Sequence, residues 1–428
     1  MFGSLRVRNY RLFFSGQVIS NIGTWMQRIA QDWLVFQLSG NNPIALGIAV
    51  ALQFIPTVLL SLYAGVLADR VDKRKLCIAI QTGIGLQALV LGLLDVGGLV
   101  ALWQVYILCF VLGIFSALDV PSRQSFVAEM VGRKQITNAV ALNSSVFNMA
   151  RIVGPAIAGF AITWVGTGWM FLANAASTLA VITGLLLMNP DKLFRGPAVV
   201  RAKGQLREGV EYVRGRSDLV TVMVLVFFVS TFGITFFTSL AIVAGNVFGT
   251  QADGYGLLST LLAVGTFTGS LMAARRGVRG NPRVRLLLIA AFSLGAIEFV
   301  AAFMPTYLAF GIALIPLGFA TITFLNTANS LVQTSVSPEM RGRVMGIYVL
   351  VLIGGNPIGG PMVGWMADAF GGRSPFIIGG VVSALAAVAC AIVLVRRGGM
   401  SPRYRISGLR LLFANGRATT ATSTRRAL

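Results

Sequence analysis

Five polar side chains recur through an apolar stretch near the N-terminus: Gln17, Asn21, Thr24, Arg28 and Gln31, with Asp32 beside the last. Steps of four, three, four and three place them on one face of a helix. An arginine and an aspartate are costly inside an apolar span, and such residues face a bundle interior or an aqueous cavity. Arg28 and Asp32 are four residues apart and can pair. A permanently neutralised pair would only pin the helix. An Asp32 that alternates between protonated and ionised forms would couple proton movement to movement of a solute, and this reading is favoured. Asp32 and Arg28 are therefore the proton-coupling candidates, and Gln17, Asn21 and Gln31 are candidates to line a solute cavity. A later stretch repeats the pattern with Ser144, Asn148, Arg151 and Pro155. Arg151 has no acidic neighbour in its own stretch, so Asp32 or a bound anionic group must balance it. Asn148 and Arg151 join the cavity set, together with Asn326, Asn329 and Asn356 from the second half. Glu298, the only acid in the interior of a span of that half, is read as a protonated or interfacial side chain.

Several chemistries are excluded at once. The 428 residues contain no histidine, which removes imidazole metal sites, histidine triads and histidine proton shuttles. Cys77, Cys109 and Cys390 lie far apart in apolar stretches and read as small buried residues. No phosphate-binding Gly-x-x-x-x-Gly-Lys-Ser/Thr run occurs, which argues against a nucleotide-driven pump. No metal, no cofactor and no catalytic residue is expected; the chain is not an enzyme.

The elements that hold these residues follow from composition. Hydrophobic residues make up 56% of the chain and charged residues 11%, less than half the charged share of an average soluble domain. Apolar runs long enough to cross a bilayer fall at 12–38, 43–68, 76–97, 99–120, 137–165, 168–188, 218–245, 254–274, 284–304, 306–330, 343–367 and 374–395. The fold class is thus an all-α polytopic membrane protein with twelve transmembrane helices in two pseudo-symmetric six-helix bundles, 1–188 and 218–395. A basic connector, 189–217, joins them, and a basic tail without apolar period, 396–428, is expected to be disordered and to lie on anionic lipid headgroups. The net charge of +21 would suggest nucleic acid on a soluble chain. Here all but three of the 35 basic residues lie in the termini and alternate connections; the exceptions are Arg28, Arg151 and Arg373. The positive-inside rule makes both termini and the basic loops cytoplasmic. No cleavable signal pattern is seen, so the first span is its own targeting signal.

A faint repeat links the halves: Gly65-x-Leu67 recurs as Gly269-x-Leu271, and Gly154-Pro155 as Gly360-Pro361. Parallel six-helix repeats build one large group of secondary transporters. The run Gly65-Val66-Leu67-Ala68-Asp69-Arg70-Val71-Asp72-Lys73-Arg74-Lys75 resembles the loop 2–3 signature of the major facilitator superfamily, departing from it at Asp72, where that family usually has glycine. Trp25-Met26-Gln27-Arg28, Asp119-Val120-Pro121-Ser122-Arg123-Gln124 and Gly154-Pro155 are similar to a bacterial branch of multidrug and siderophore exporters. The resemblance covers about residues 10–395. It implies a conformational latch built from Gly65, Asp69, Arg70, Arg74, Asp119 and Arg123, with Asp69 at the start of the eleventh helix and Arg70 or Arg74 reaching Asp119. The segment containing Gly154, Pro155 and Gly159 resembles a helix-five antiporter motif, with Ala158 in place of one closing glycine. The implied function is proton-coupled efflux of amphiphilic small molecules from the bacterial inner membrane by a monomer. An exporter of an anionic metabolite such as a siderophore or acidic lipid, or a lipid translocase without proton coupling, is the alternative. Partners are the solute, protons and membrane lipids, not nucleic acid.

Overall fold

The computed structural model describes residues 3–132, 134–194, 205–277 and 284–396. The tail 397–428 and the side chains of Gly65 and Asp69 lie outside the described residues. The first six long helices are α1 (Arg8–Leu38), α2 (Pro43–Arg70), α3 (Lys73–Val96), α4 (Leu102–Val131), α5 (Ile136–Val165) and α6 (Thr167–Leu186). A short connector helix, α7 (Gln205–Arg214), precedes α8 (Ser217–Phe228), α9 (Phe236–Ile242), α10 (Ala252–Gly277), α11 (Val284–Ala302), α12 (Tyr307–Ser335), α13 (Arg341–Gly354), α14 (Asn356–Phe370) and α15 (Ser374–Arg396). No strand occurs among the described residues. Among the described residues, eleven helical runs are long and apolar enough to cross a membrane. Helix α1 falls outside that set although it is 31 residues long, because its glutamines, Asn21, Arg28 and Asp32 dilute its apolar content.

Local sequence explains the boundaries. Asn42 caps α2 by accepting from the amides of Ile44 (2.8 Å) and Ala45 (3.4 Å), and Pro43 fills the first turn, where no amide donor is needed. Asp72, which departs from the glycine of the resembled signature, has an ordinary φ of −59° and caps α3 by accepting from the Lys75 amide at 3.1 Å. Three expectations change. The fourth span does not end near residue 120: α4 continues through Pro121 to Val131, so Arg123 lies on the same helix as Asp119 and not in a loop. They pair there one turn apart, which keeps a charged extension helical. The seventh span runs over Ser217–Val247 but is interrupted by π turns at Val229–Gly233 and Val243–Val247. Thr231 donates to the Phe227 carbonyl at 2.7 Å and Thr235 to the Thr231 carbonyl at 3.0 Å, one way that hydroxyls satisfy backbone oxygens in a broken membrane helix. The eleventh span is likewise split into α13 and α14.

Helix α1 packs on α5 and α6, α3 on α4 and α6, and α2 on α4; α10 packs on α12, and α11 on α12 and α15. Two crossings join these groups, α2 with α14 and α5 with α10. Both use glycine at the end away from the basic loops. A Cβ on Gly256 of α10 would lie 2.5 Å from the Gly159 Cα and 2.7 Å from the Pro155 carbonyl oxygen of α5, and one on Gly360 would lie 2.9 Å from the Gly47 carbonyl oxygen. Lipid tails are as apolar as leucine, so close backbone approach is what holds such helices together. Gly256→Leu is therefore expected to destabilise the protein by about 1–3 kcal/mol, the ordinary cost of overpacking, seen as a lower melting temperature in detergent. Gly342→Ala, where nothing lies within 4 Å, should leave that temperature unchanged or slightly raised.

Candidate functional site

The polar face of α1 opens onto a cavity of about 280 Å³ walled by α1 to α6. Gln17, Asn21, Thr24, Arg28 and Gln31 all line it, as the helical spacing requires. Its floor is a hydrogen-bonded chain near the basic end. Arg123 donates to the Gln17 Oε1 at 2.8 Å and pairs with Asp119, which also accepts from the Gln81 Nε2 at 3.2 Å. Farther along, the Gln31 Nε2 donates to the Gln53 Oε1 at 3.0 Å. Behind Gln27, the Gln87 and Asn174 side chains close a buried amide ladder with bonds of 2.9 and 2.6 Å. Sequence reasoning missed Gln53 of α2, Gln81 and Gln87 of α3, and Asn174 of α6, which lie in mainly apolar helices. Their signal was polarity without periodicity.

Asp32 lies deeper, 5% exposed. Its Oδ2 accepts from the hydroxyl of Tyr255 on α10 at 2.9 Å, and Arg28, one turn earlier, acts on it electrostatically. Trp33 stacks on Tyr255 with ring centres 6.3 Å apart and planes at 22°. The contact bridges α1 and α10, beside the glycine crossing of α10 with α5. Tyr255 was not identified from sequence, because a tyrosine in an apolar helix normally reads as packing.

Arg151 does not pair with Asp32. Its guanidinium lies over the Trp25 ring at 5.8 Å, and that of Arg28 lies over the same ring at 5.5 Å. The Arg151 Nε is shielded from solvent and has no hydrogen-bond partner, and the same is true of the Gln31 Oε1 and the Ser259 Oγ. Two cations thus share one indole face region, and only one carboxylate is near them. The other cavity candidates are placed differently. Asn148 turns back to the Ser144 carbonyl at 2.8 Å. Asn329 accepts from Gln333 within α12 at 2.7 Å, and Asn326 and Asn356 are likewise on helices that do not wall this cavity.

The latch residues also divide. Arg70 is exposed. Arg74 does not reach Asp119: it donates to the carbonyls of Leu185 and Leu186 at 2.7 and 3.0 Å, capping the end of α6, where unsatisfied carbonyls attract a cation. At the start of α13, Arg343 pairs with Glu208 of α7. Gly154, Pro155 and Gly159 sit at helix crossings: a Cβ on Gly154 would lie 2.5 Å from the Trp25 Cβ, and one on Gly159 2.8 Å from the Gly256 Cα.

Residues 1–404 match the family described as transmembrane secretion effector. The chain is 25% identical over 374 residues to the staphyloferrin A transporter of Staphylococcus aureus (strain NCTC 8325 / PS 47), covering 87% of this chain and 92% of that protein. It is 22% identical over 401 residues to macrolide efflux protein A of Streptococcus pyogenes, covering 91% and 97%. Among solved structures, a bacterial homolog of the human lysosomal transporter Spinster, in its inward-facing and occupied conformation, aligns with a TM-score of 0.69 at 16% identity, covering 90% of this chain and 96% of that one.

Removing the Tyr255 hydroxyl leaves a buried carboxylate short of a donor, at a cost of about 1–3 kcal/mol. Tyr255→Phe should therefore loosen the contact of α1 with α10. With the native cysteines replaced, a cysteine at Ala252, a residue 1% exposed, should react with a maleimide roughly tenfold faster in the variant, since each 1.4 kcal/mol is tenfold. Combining Asp32→Asn with Tyr255→Phe should add little to either change alone.

Proposed function

The chain belongs to the transmembrane secretion effector family, within the major facilitator superfamily; from that membership we propose a twelve-span, proton-coupled exporter of amphiphilic small molecules. Helix α1 is the twelfth span, and the halves are α1–α6 and α8–α15. The basic loops and both termini face the cytoplasm of a bacterium. The solute enters the cavity of α1–α6 from that side, among Gln17, Asn21, Arg28 and Gln31, with Asn148, Arg151, Asn326, Asn329 and Asn356 completing the path as the halves rock. The carrier works as a monomer, its basic face on anionic headgroups.

The observation that carries the reading is the hydrogen bond from Tyr255 to Asp32. It joins the halves next to the crossings that close the extracellular end. After a proton leaves Asp32 to the cytoplasm, the ionised carboxylate accepts from Tyr255 and holds that end shut. An empty carrier then cannot return, which suppresses proton leak. A solute that engages Asp32 or Arg28 releases the clasp and lets the carrier open outward. There Asp32 takes up a proton, the solute leaves, and the neutral form closes again. Proton and solute thus occupy Asp32 in turn, the requirement for antiport.

A second reading, an anionic solute such as a siderophore, is favoured by one observation: Arg28 and Arg151 over Trp25 outnumber the carboxylate beside them. The two readings differ in sign. A proton on Asp32 competes with a cationic or neutral solute but strengthens the binding of an anion.

The test is flux in liposomes under an imposed pH gradient, with lipophilic cations, lipophilic anions and a siderophore offered in turn. Substrate-dependent proton flux is expected. Asp32→Asn should abolish it while leaving solute counterflow, because a neutral side chain no longer forbids the empty return. Proton flux unaffected by Asp32→Asn would sink the assignment of the proton to Asp32, and solute movement without any proton flux in the native chain would favour an uncoupled lipid translocase.

A further inference from the structure

A second carboxyl lies far from the cavity. Glu298 of α11 is 3% exposed, and its Oε2 has no hydrogen-bond partner. Ser383 of α15, fully buried, also has an unpartnered Oγ. Two glycines show that these groups share one place. A Cβ on Gly233 would meet the Ser383 Oγ and would lie 3.4 Å from the Glu298 Oε2. A Cβ on Gly379 would lie 2.8 Å from the Glu298 Oε1 and 2.5 Å from the carbonyl oxygen of Phe232. Phe232 and Gly233 end the π turn Val229–Gly233. The carboxyl is thus wedged between a helix break and α15, in space that exists because glycine lines it on both sides.

No countercharge faces it among the described residues. Arg285 is at the far end of α11, α12 carries no charged residue, α15 only Arg396 in its last turn, and the run Ser217–Val247 only Asp218 at its start. Arg373 donates to the Ala302 carbonyl at 3.1 Å and lies over Phe248. An isolated carboxylate in such surroundings costs far more than a neutral acid. A neutral acid has a proton to donate, and the Phe232 carbonyl oxygen, which borders the same space at Gly379, is an acceptor within reach of a side-chain adjustment. An ionised one would face that oxygen with like charge.

We propose that Glu298 is a second proton-binding site, whose protonated form braces the break in the seventh span by donating to the backbone at Phe232 and whose deprotonation releases it. The break also touches the eleventh span: a Cβ on Gly355 would lie 2.7 Å from the Thr231 Oγ1. The site therefore acts on the helix pair that includes α14, one of the two crossings between the halves. This site is independent of Asp32 and does not require the solute assignment made above.

Infrared difference spectroscopy of the full chain, stepped between pH 6 and pH 9, tests it. A protonated-carboxyl band should be lost as pH rises, and it should be missing from Glu298→Gln but present in Asp32→Asn. The amide band should shift with it in the native chain, as the break relaxes, and stay fixed in Glu298→Gln. If that variant does not fold, carbodiimide labelling of native Glu298, followed by mass spectrometry, should fall at least tenfold across the same range. A Glu298 band or label unchanged from pH 6 to pH 9 would overturn the proposal and leave a permanently neutral structural acid. A band that responds to sodium at fixed pH would overturn it in favour of a metal cation.

Discussion

A carboxylate inside a membrane protein must find a donor, and Asp32 finds one on a helix 223 residues away, at Tyr255. Much of the architecture around it serves that contact. Helices α5 and α10 approach at Gly159 and Gly256, which brings Tyr255 to α1. Trp33 stacks on the tyrosine ring and helps exclude water. In low dielectric a hydrogen bond to an ionised group is worth more than its counterpart in water, and its absence costs correspondingly more. The contact joins α1 to α10 through a hydrogen bond that depends on a single ionisable group. Packing alone, with no polar switch, would close the end without any way of sensing what has bound.

The apolar solvent also explains why small residues carry so much of the structure. Burying leucine against leucine gains little when lipid would do as well, so contacts between the helix groups rely on backbone approach at Gly47, Gly360, Gly159 and Gly256. Such surfaces are smooth and can separate without stripping side chains from one another. This is a useful property where two groups of helices must part and meet repeatedly. The amide ladder of Gln27, Gln87 and Asn174 does the opposite: its side-chain hydrogen bonds tie α1 to α3 and α6 within one group.

Much of this was legible in the sequence, for reasons that can be named. The polar stripe on α1 has a strict helical period, and period survives folding, so Gln17, Asn21, Thr24, Arg28 and Gln31 meet at one cavity wall. Family membership was legible in the loop motif. Partner choice was not. Arg74 caps α6 and Asp119 takes Arg123, because each charge settles on the nearest unsatisfied group, and that distance is set by helix packing. Pro121 looked like a boundary, yet α4 passes through it, since a helix pays for one lost amide bond more easily than for three exposed turns. Tyr255 and Ser383 carry no periodic signal at all; only the assembled structure shows that each faces a buried acid.

The two acids illustrate how placement divides labour. Asp32 has a cation one turn away and a neutral donor opposite, and the cavity lies close by. Glu298 has no ion-pair partner among the described residues, its Oε2 has no hydrogen-bond partner, and it shares the space at Gly379 with the Phe232 carbonyl. A transporter with only the first could close in response to deprotonation but would have nothing in the second half that responds. With an acid set into the break of the seventh span, each half carries its own protonatable group next to a crossing. Charge on either can then bias the same movement, which would make coupling a property of both halves rather than of the cavity alone.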